Sequence, residues 1–171
     1  MKRMLSLSLS ALLLLSALVG CGSKDSGTVS KTPEEYTEAY KTAIESARDD
    51  ELNEAVPVVT STEDDTASLV LSLIGVTDEN TDAFAVAISP MNIKAYGVAA
   101  ILPAEGKSEE VLEVVNAFVE QQKQSFEQYL ADQYEIANAA KVETLDDGTI
   151  LLVMCENQDT VLDAIKTSLN G

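Results

Sequence analysis

The chain has 171 residues, 46% of them apolar, which suits one ordinary domain with a core of its own. Eleven Lys and Arg against 29 Asp and Glu give a formal charge of −18, which excludes a nucleic-acid partner. The absence of His removes the serine and cysteine triads, the usual zinc sites and the commonest general base, and two Cys cannot build a disulfide framework.

Residues 1–20 read as a signal peptide that lies outside the fold. Lys2 and Arg3 form a positive start, Leu5 to Val19 run without a charge, and small residues follow from Gly20. The apolar run is short for a spanning helix, which needs about 20 such residues, and Ser6, Ser8 and Ser10 dilute it. Leu18-Val19-Gly20-Cys21 resembles the lipobox of bacterial lipoproteins, with Leu three residues before the cleavage point, a small residue just before it and Cys just after. The resemblance implies diacylglyceryl attachment at the Cys21 sulfur and cleavage before that residue. A thiol is required there because the thioether is the anchor, and small neighbours let a peptidase reach the backbone beside a bulky lipid. The blander readings are an uncleaved membrane anchor or a plain secretory signal with a chance Cys.

Two acyl chains hold a protein stably where one is marginal. Loss of Lys2 and Arg3 with the signal leaves 9 basic and 29 acidic side chains, net −20, and such a body is repelled by anionic lipid. The lipid on Cys21, not the protein surface, is therefore the expected link to the membrane, at the extracytoplasmic face of a bacterial cell. Residues 21–32, rich in Gly, Ser and mixed charge, read as the lipidated flexible tether, and about ten such residues span roughly 17 Å. Residues 33–171 are expected to form a single globular domain.

Thr32-Pro33-Glu34-Glu35 is a helix start: Thr32 can cap, Pro33 suits the first helical position and Glu35 completes a capping box. Tyr36, Tyr40, Ala43, Ile44 and Ala47 form one apolar stripe, which weakens through Arg48-Asp49-Asp50-Glu51 and must end before Pro57. Ser68 to Gly75 fits a short buried helix capped by Gly75 or a strand, and its length is compatible with both. Residues 83–89 read as a central strand with Phe84, Val86 and Ile88 on one side, and residues 96–102 as a second strand stopped by Pro103. Ser108 is expected to cap a long helix with Glu109 and Glu110 in its first turn. The inner face of that helix is Val111, Val115, Phe118, Gln122, Phe126 and Tyr129, and Leu130, Tyr134 and Ala137 continue it or start another. Lys141 to Leu145 and Thr149 to Cys155 flank Asp146-Asp147-Gly148, a strong hairpin signal, with the second run apolar on both faces and the first charged like an edge. Asn157 is expected to cap the last helix, facing inward with Val161, Ala164, Ile165 and Ser168. The class is α+β: an N-terminal helix, then β-β-α-β-β-α, with a four-stranded antiparallel sheet and helices packed on one face.

Acidic clusters occur at 49–51, 63–65, 78–82 and 146–147, all in loops or helix ends where water keeps carboxylates ordinary. Among 29 acids such clusters arise from composition and read as a solvated face. Asp78-Glu79-Asn80-Thr81-Asp82 places oxygen donors at alternate positions, but Ala83 stands where a calcium loop turns on Gly and Ser89 where it needs a bidentate Glu. Asp78, Asn80 and Asp82 remain at most a weak cation site against an ordinary polar turn. No phosphate loop, dinucleotide fingerprint or serine elbow occurs, and no cofactor is expected. Cys155 reads as a buried structural thiol, and Tyr36, Tyr40, Tyr129 and Tyr134 as core or core rim, with a sugar platform as the sharper alternative.

From about Leu69 to the C-terminus the chain resembles an uncharacterised bacterial lipoprotein family, domain of unknown function 4358. The residues that carry the likeness are Leu73-Ile74-Gly75-Val76, Phe84 through Ser89-Pro90-Met91, Gln121-Gln122-Lys123 with Phe126-Glu127-Gln128-Tyr129, and Leu151-Leu152-Val153. The resemblance implies a lipid-anchored surface protein of a Gram-positive bacterium and transfers no catalytic residue. The expected role is a non-catalytic binding or interaction module whose partner is an envelope protein or small molecule. The alternative is a carboxylate-based or cation-dependent enzyme acting on cell-envelope carbohydrate or peptide, which needs two acids to meet in a pocket.

Overall fold

The structure is a computed structural model that describes residues 31–171, the compact unit Lys31–Gly171. The signal segment, the Cys21 lipidation site and the tether as far as Ser30 lie outside the described residues. In chain order the elements are α1 (Pro33–Ser46), α2 (Asp50–Ala55), α3 (Ala67–Ile74), β1 (Thr81–Ile88), β2 (Gly97–Pro103), α4 (Ser108–Phe126), α5 (Ala131–Asn138), β3 (Lys141–Thr144), β4 (Ile150–Met154) and α6 (Gln158–Asn170).

The start of α1 is the expected capping box: Thr32 N donates to Glu35 Oε2 at 2.7 Å and Glu35 N donates to Thr32 Oγ1 at 3.3 Å. The helix stops at Ser46. Asp49 then begins α2 by accepting the Leu52 N–H on Oδ1 at 2.8 Å, so the acidic run that weakened the helical stripe is itself a new helix start. Residues 67–74 are helical, which decides the open choice between helix and strand. Gly75 closes α3 in the left-handed region at φ 75.

The sheet is antiparallel throughout, in the order β1-β2-β4-β3, with charged β3 at the edge and apolar β4 inside as expected. Gly148 at φ 89 turns the β3–β4 hairpin, across which Leu145 N donates to the Thr149 carbonyl at 2.8 Å. The other edge is partly covered: Val59 and Val86 exchange backbone hydrogen bonds of 2.8 and 2.9 Å.

The helices cover both faces of the sheet, which corrects the expectation of one face. Phe84, Val86, Ile88, Ile101, Leu152 and Met154 pack with α3, α4 and α5. Ala83, Ala85, Ala87, Val98, Leu151 and Val153 pack with Tyr40, Ala43 and Ile44 of α1 and Leu162 and Ile165 of α6. The cause is legible in the strands: β1, β2 and β4 are apolar at consecutive positions, and a sheet apolar on both sides must be shielded on both. Small residues on the second face (Ala83, Ala85, Ala87 and Ala100) let α1 lie close.

Four local expectations also shift. Ser108 is the first helical residue, preceded by Lys107 at the cap without a side-chain bond. Asn157 makes no side-chain cap but turns the chain at φ 56, a region Asn tolerates better than most residues. The buried side of α6 falls on Leu162 and Ile165, while Ala164 and Ser168 are exposed. Tyr129 is 85% exposed because α4 ends at Phe126, and the turn carries the ring outward.

Candidate functional site

One end of the sheet, where β1 and β4 finish and β2 begins, meets the α1–α2 junction and α5. Between the two helical layers there, a cleft of about 260 Å³ opens, lined by residues that include Arg48, Asp49, Lys94, Tyr96, Gln133 and Cys155. Each comes from a different constraint. The break between α1 and α2 presents Arg48 and Asp49. The loop 90–95 is closed by Ser89 N donating to the Tyr96 carbonyl at 3.1 Å and pinned to α5 by Ala95 N donating to Gln133 Oε1 at 2.8 Å. The left-handed turn at Asn157 follows Cys155 and Glu156, both in the cleft wall.

Arg48 organises this wall. Its Nη1 donates to the Val56 carbonyl at 3.0 Å and to the Tyr96 hydroxyl at 3.2 Å, tying the α1–α2 segment to the start of β2. Its Nε and Nη2 are buried with no hydrogen-bond partner on the protein. Tyr96 is 3% exposed, and burial holds its hydroxyl above the usual tyrosine range against the opposing pull of the Arg48 bond and charge. Lys94 Nζ stands 6.0 Å from the centroid of the Tyr96 ring.

Cys155 is buried, as expected, and its thiol is pushed up to about 11 by burial and then by the charge of Glu156, against the smaller opposing effect of Arg48. At neutral pH it is a protonated thiol, a poor nucleophile in a wall that holds no His.

The acidic candidates lie elsewhere. Asp78 and Asp82 line a second cleft of about 360 Å³ with Thr37 and Thr60 to Thr62, and the Thr62 hydroxyl donates to Asp78 Oδ2 at 3.1 Å. Asn80 does not join them. It is 4% exposed, accepts the Thr77 N–H at 2.9 Å and donates to the Gly75 carbonyl at 3.0 Å, so its amide is consumed in holding the turn after α3. Among the described residues no group of three or more Cys, Asp or Glu is placed to hold a metal ion. Nor is any Asp or Glu among them buried; Glu45 and Glu143 are half-buried, and Glu143 pairs with Lys166 at 2.7 Å.

Of the tyrosines expected in the core or its rim, Tyr40 is buried with its hydroxyl 2.6 Å from Thr149 Oγ1, Tyr36 stacks at a tilt with centroids 5.6 Å apart, and Tyr134 is half-buried. Tyr129 is not among them. Sequence reasoning missed Arg48 and Tyr96. The available signal was scarcity, since Arg48 is the only arginine after Arg3 in a chain with 29 acids.

The model of a family described as Domain of unknown function (DUF4358) matches residues 59–155, more than half of the chain. No curated protein and no solved structure matches the chain.

Proposed function

The chain belongs to the domain of unknown function 4358 family, and from that premise we propose that it is a lipid-anchored, extracytoplasmic binding module that performs no catalysis of its own. The observation that carries binding is the cleft at the sheet end, whose lining includes Arg48 with two unpartnered donors and Cys155 with its thiol held protonated. The enzymatic alternative needs a buried carboxylate, and every Asp and Glu among the described residues is exposed or half-buried, including Asp78 and Asp82 of the second cleft. The anchor rests on Leu18-Val19-Gly20-Cys21 following a positive start and a short apolar run. No helix among the described residues is long and apolar enough to cross a membrane, so attachment through Cys21 is the simplest means of holding this acidic body at a bilayer.

Two measurements test the proposal. Cys21→Ser releases the protein from the membrane fraction or leaves the signal uncleaved; unchanged fractionation with normal processing overturns the anchor. Incubated with envelope peptides and oligosaccharides, the protein returns every compound chemically unaltered by mass spectrometry. Steady turnover of any of them overturns the non-catalytic role.

A further inference from the structure

Building on the reading of this cleft as a binding site, we propose that its ligand is a small monoanion held through a carboxylate by the unpartnered edge of Arg48. A guanidinium grips a carboxylate with two parallel N–H bonds, and one of its edges is formed by Nε and Nη2. In Arg48 the remaining nitrogen, Nη1, is committed to the Val56 carbonyl and the Tyr96 hydroxyl, which hold the plane of the group. The two nitrogens of the side-on edge are the two left without an acceptor. Arginine cannot shed its proton to relieve that deficit, which makes these two donors a place for an incoming acceptor.

Among the described residues no acid supplies one. The ion pairs among the described residues (Lys107–Glu110, Lys123–Glu120, Lys141–Asp159 and Lys166–Glu143) all use lysine. Asp49, the acid next to Arg48 in sequence, spends Oδ1 on the Leu52 N–H. In a chain this acidic, an arginine with no carboxylate partner among the described residues is a specific arrangement rather than a matter of supply.

The surroundings narrow the ligand. Lys94 is a second cation in the lining, while Asp49 and Glu156 stand in the same lining and repel a second negative charge. A monocarboxylate is therefore favoured over phosphate or a dicarboxylate. Leu52, Ile136 and Val161 offer apolar wall to the rest of the molecule. A volume of about 260 Å³ sits at the small end of ligand clefts, which run from about 300 Å³ upward, and suits a body of a few carbon atoms. Nε and Nη2 are themselves buried, so a carboxylate reaches them only with movement of the cleft lining.

The scarcity of arginine makes the test direct. In the full-length chain carrying Arg3→Lys, a nitrogen-15 NMR spectrum contains a single arginine Nε–H signal, that of Arg48. Butanoate is titrated to roughly ten millimolar, enough to occupy a site of millimolar affinity, beside its neutral counterpart butanamide and inorganic phosphate. The expected result is a saturable shift of that signal with butanoate and none with the other two. Arg48→Lys, which keeps the charge and loses the edge, weakens butanoate binding about tenfold or more by calorimetry. An Nε–H signal that butanoate leaves in place overturns the proposal, whether or not the variant folds. So does a response to phosphate alone. Movement of the Tyr96 and Cys155 amides with butanamide while the Nε–H signal stays still overturns the carboxylate and leaves the binding-module reading standing.

Discussion

Cys155 shows what burial does to a single group. Its thiol, moved from 9.0 to about 11, stays protonated in the native chain at a pH where the unfolded chain has already ionised it. The stability that this contributes is present in full below about 9 and is lost as pH rises toward about 11. The urea midpoint is therefore expected to fall across that window, and Cys155→Ala to flatten the early part of the fall. Tyr40 and Tyr96, both raised mainly by burial, steepen the loss above 10.0, their ordinary value. In parallel, alkylation of Cys155 in the native protein stays slow at pH 8 and accelerates only in urea, as a thiol-labelling time course checks. That this thiol is buried follows from its apolar run. That its neighbour is an arginine does not, because Arg48 and Cys155 meet only when α1 and β4 are brought together.

At the scale of elements, strand pairing was legible where the signals are local. The Asp146-Asp147-Gly148 turn, the charged β3 and the apolar β4 each act within a few residues, so hairpin, edge and interior all follow from pattern. Helix termini were less legible at Ser108 and Asn157, since capping needs the residue just before the first turn, which Ser108 misses, and an extended backbone there, which Asn157 at φ 56 lacks. Segment 67–74 is decided by Gly75 and by its packing on α4: the left-handed φ ends a helix, and a Cβ built at Gly75 would sit 3.0 Å from Val114 Cβ. Gly75→Ala therefore incurs backbone strain together with a clash at the α3–α4 contact. The expected loss is about 1–3 kcal/mol, read from urea unfolding. A Gly106→Ala control, at φ 77 but with open space around it, loses less.

For the molecule as a whole, the family match ends at Cys155 and begins at Val59, so it contains the sheet with α3, α4 and α5 and omits, besides the short α2, the helices α1 and α6. Those two helices shield the alanine-rich face of β1 and β2 together with Leu151 and Val153 of β4. Residues 59–155 expressed alone are accordingly expected to expose that face, bind a hydrophobic dye and melt without a cooperative transition, whereas residues 31–171 unfold in one. The Arg48 cleft would go as well, because its guanidinium arrives with the α1–α2 segment. Much was written in local pattern: the capping box at Thr32, two hairpins, an edge and an interior strand. Periodicity and turn chemistry act over a few residues and need no partner, so they survive reading in one dimension. Which helices settle on which sheet face, and the meeting of Arg48, Tyr96 and Cys155 at one end of the sheet, depended on packing. Contacts between groups 48 residues or more apart arise from how whole layers settle on each other, and no short stretch of chain encodes them.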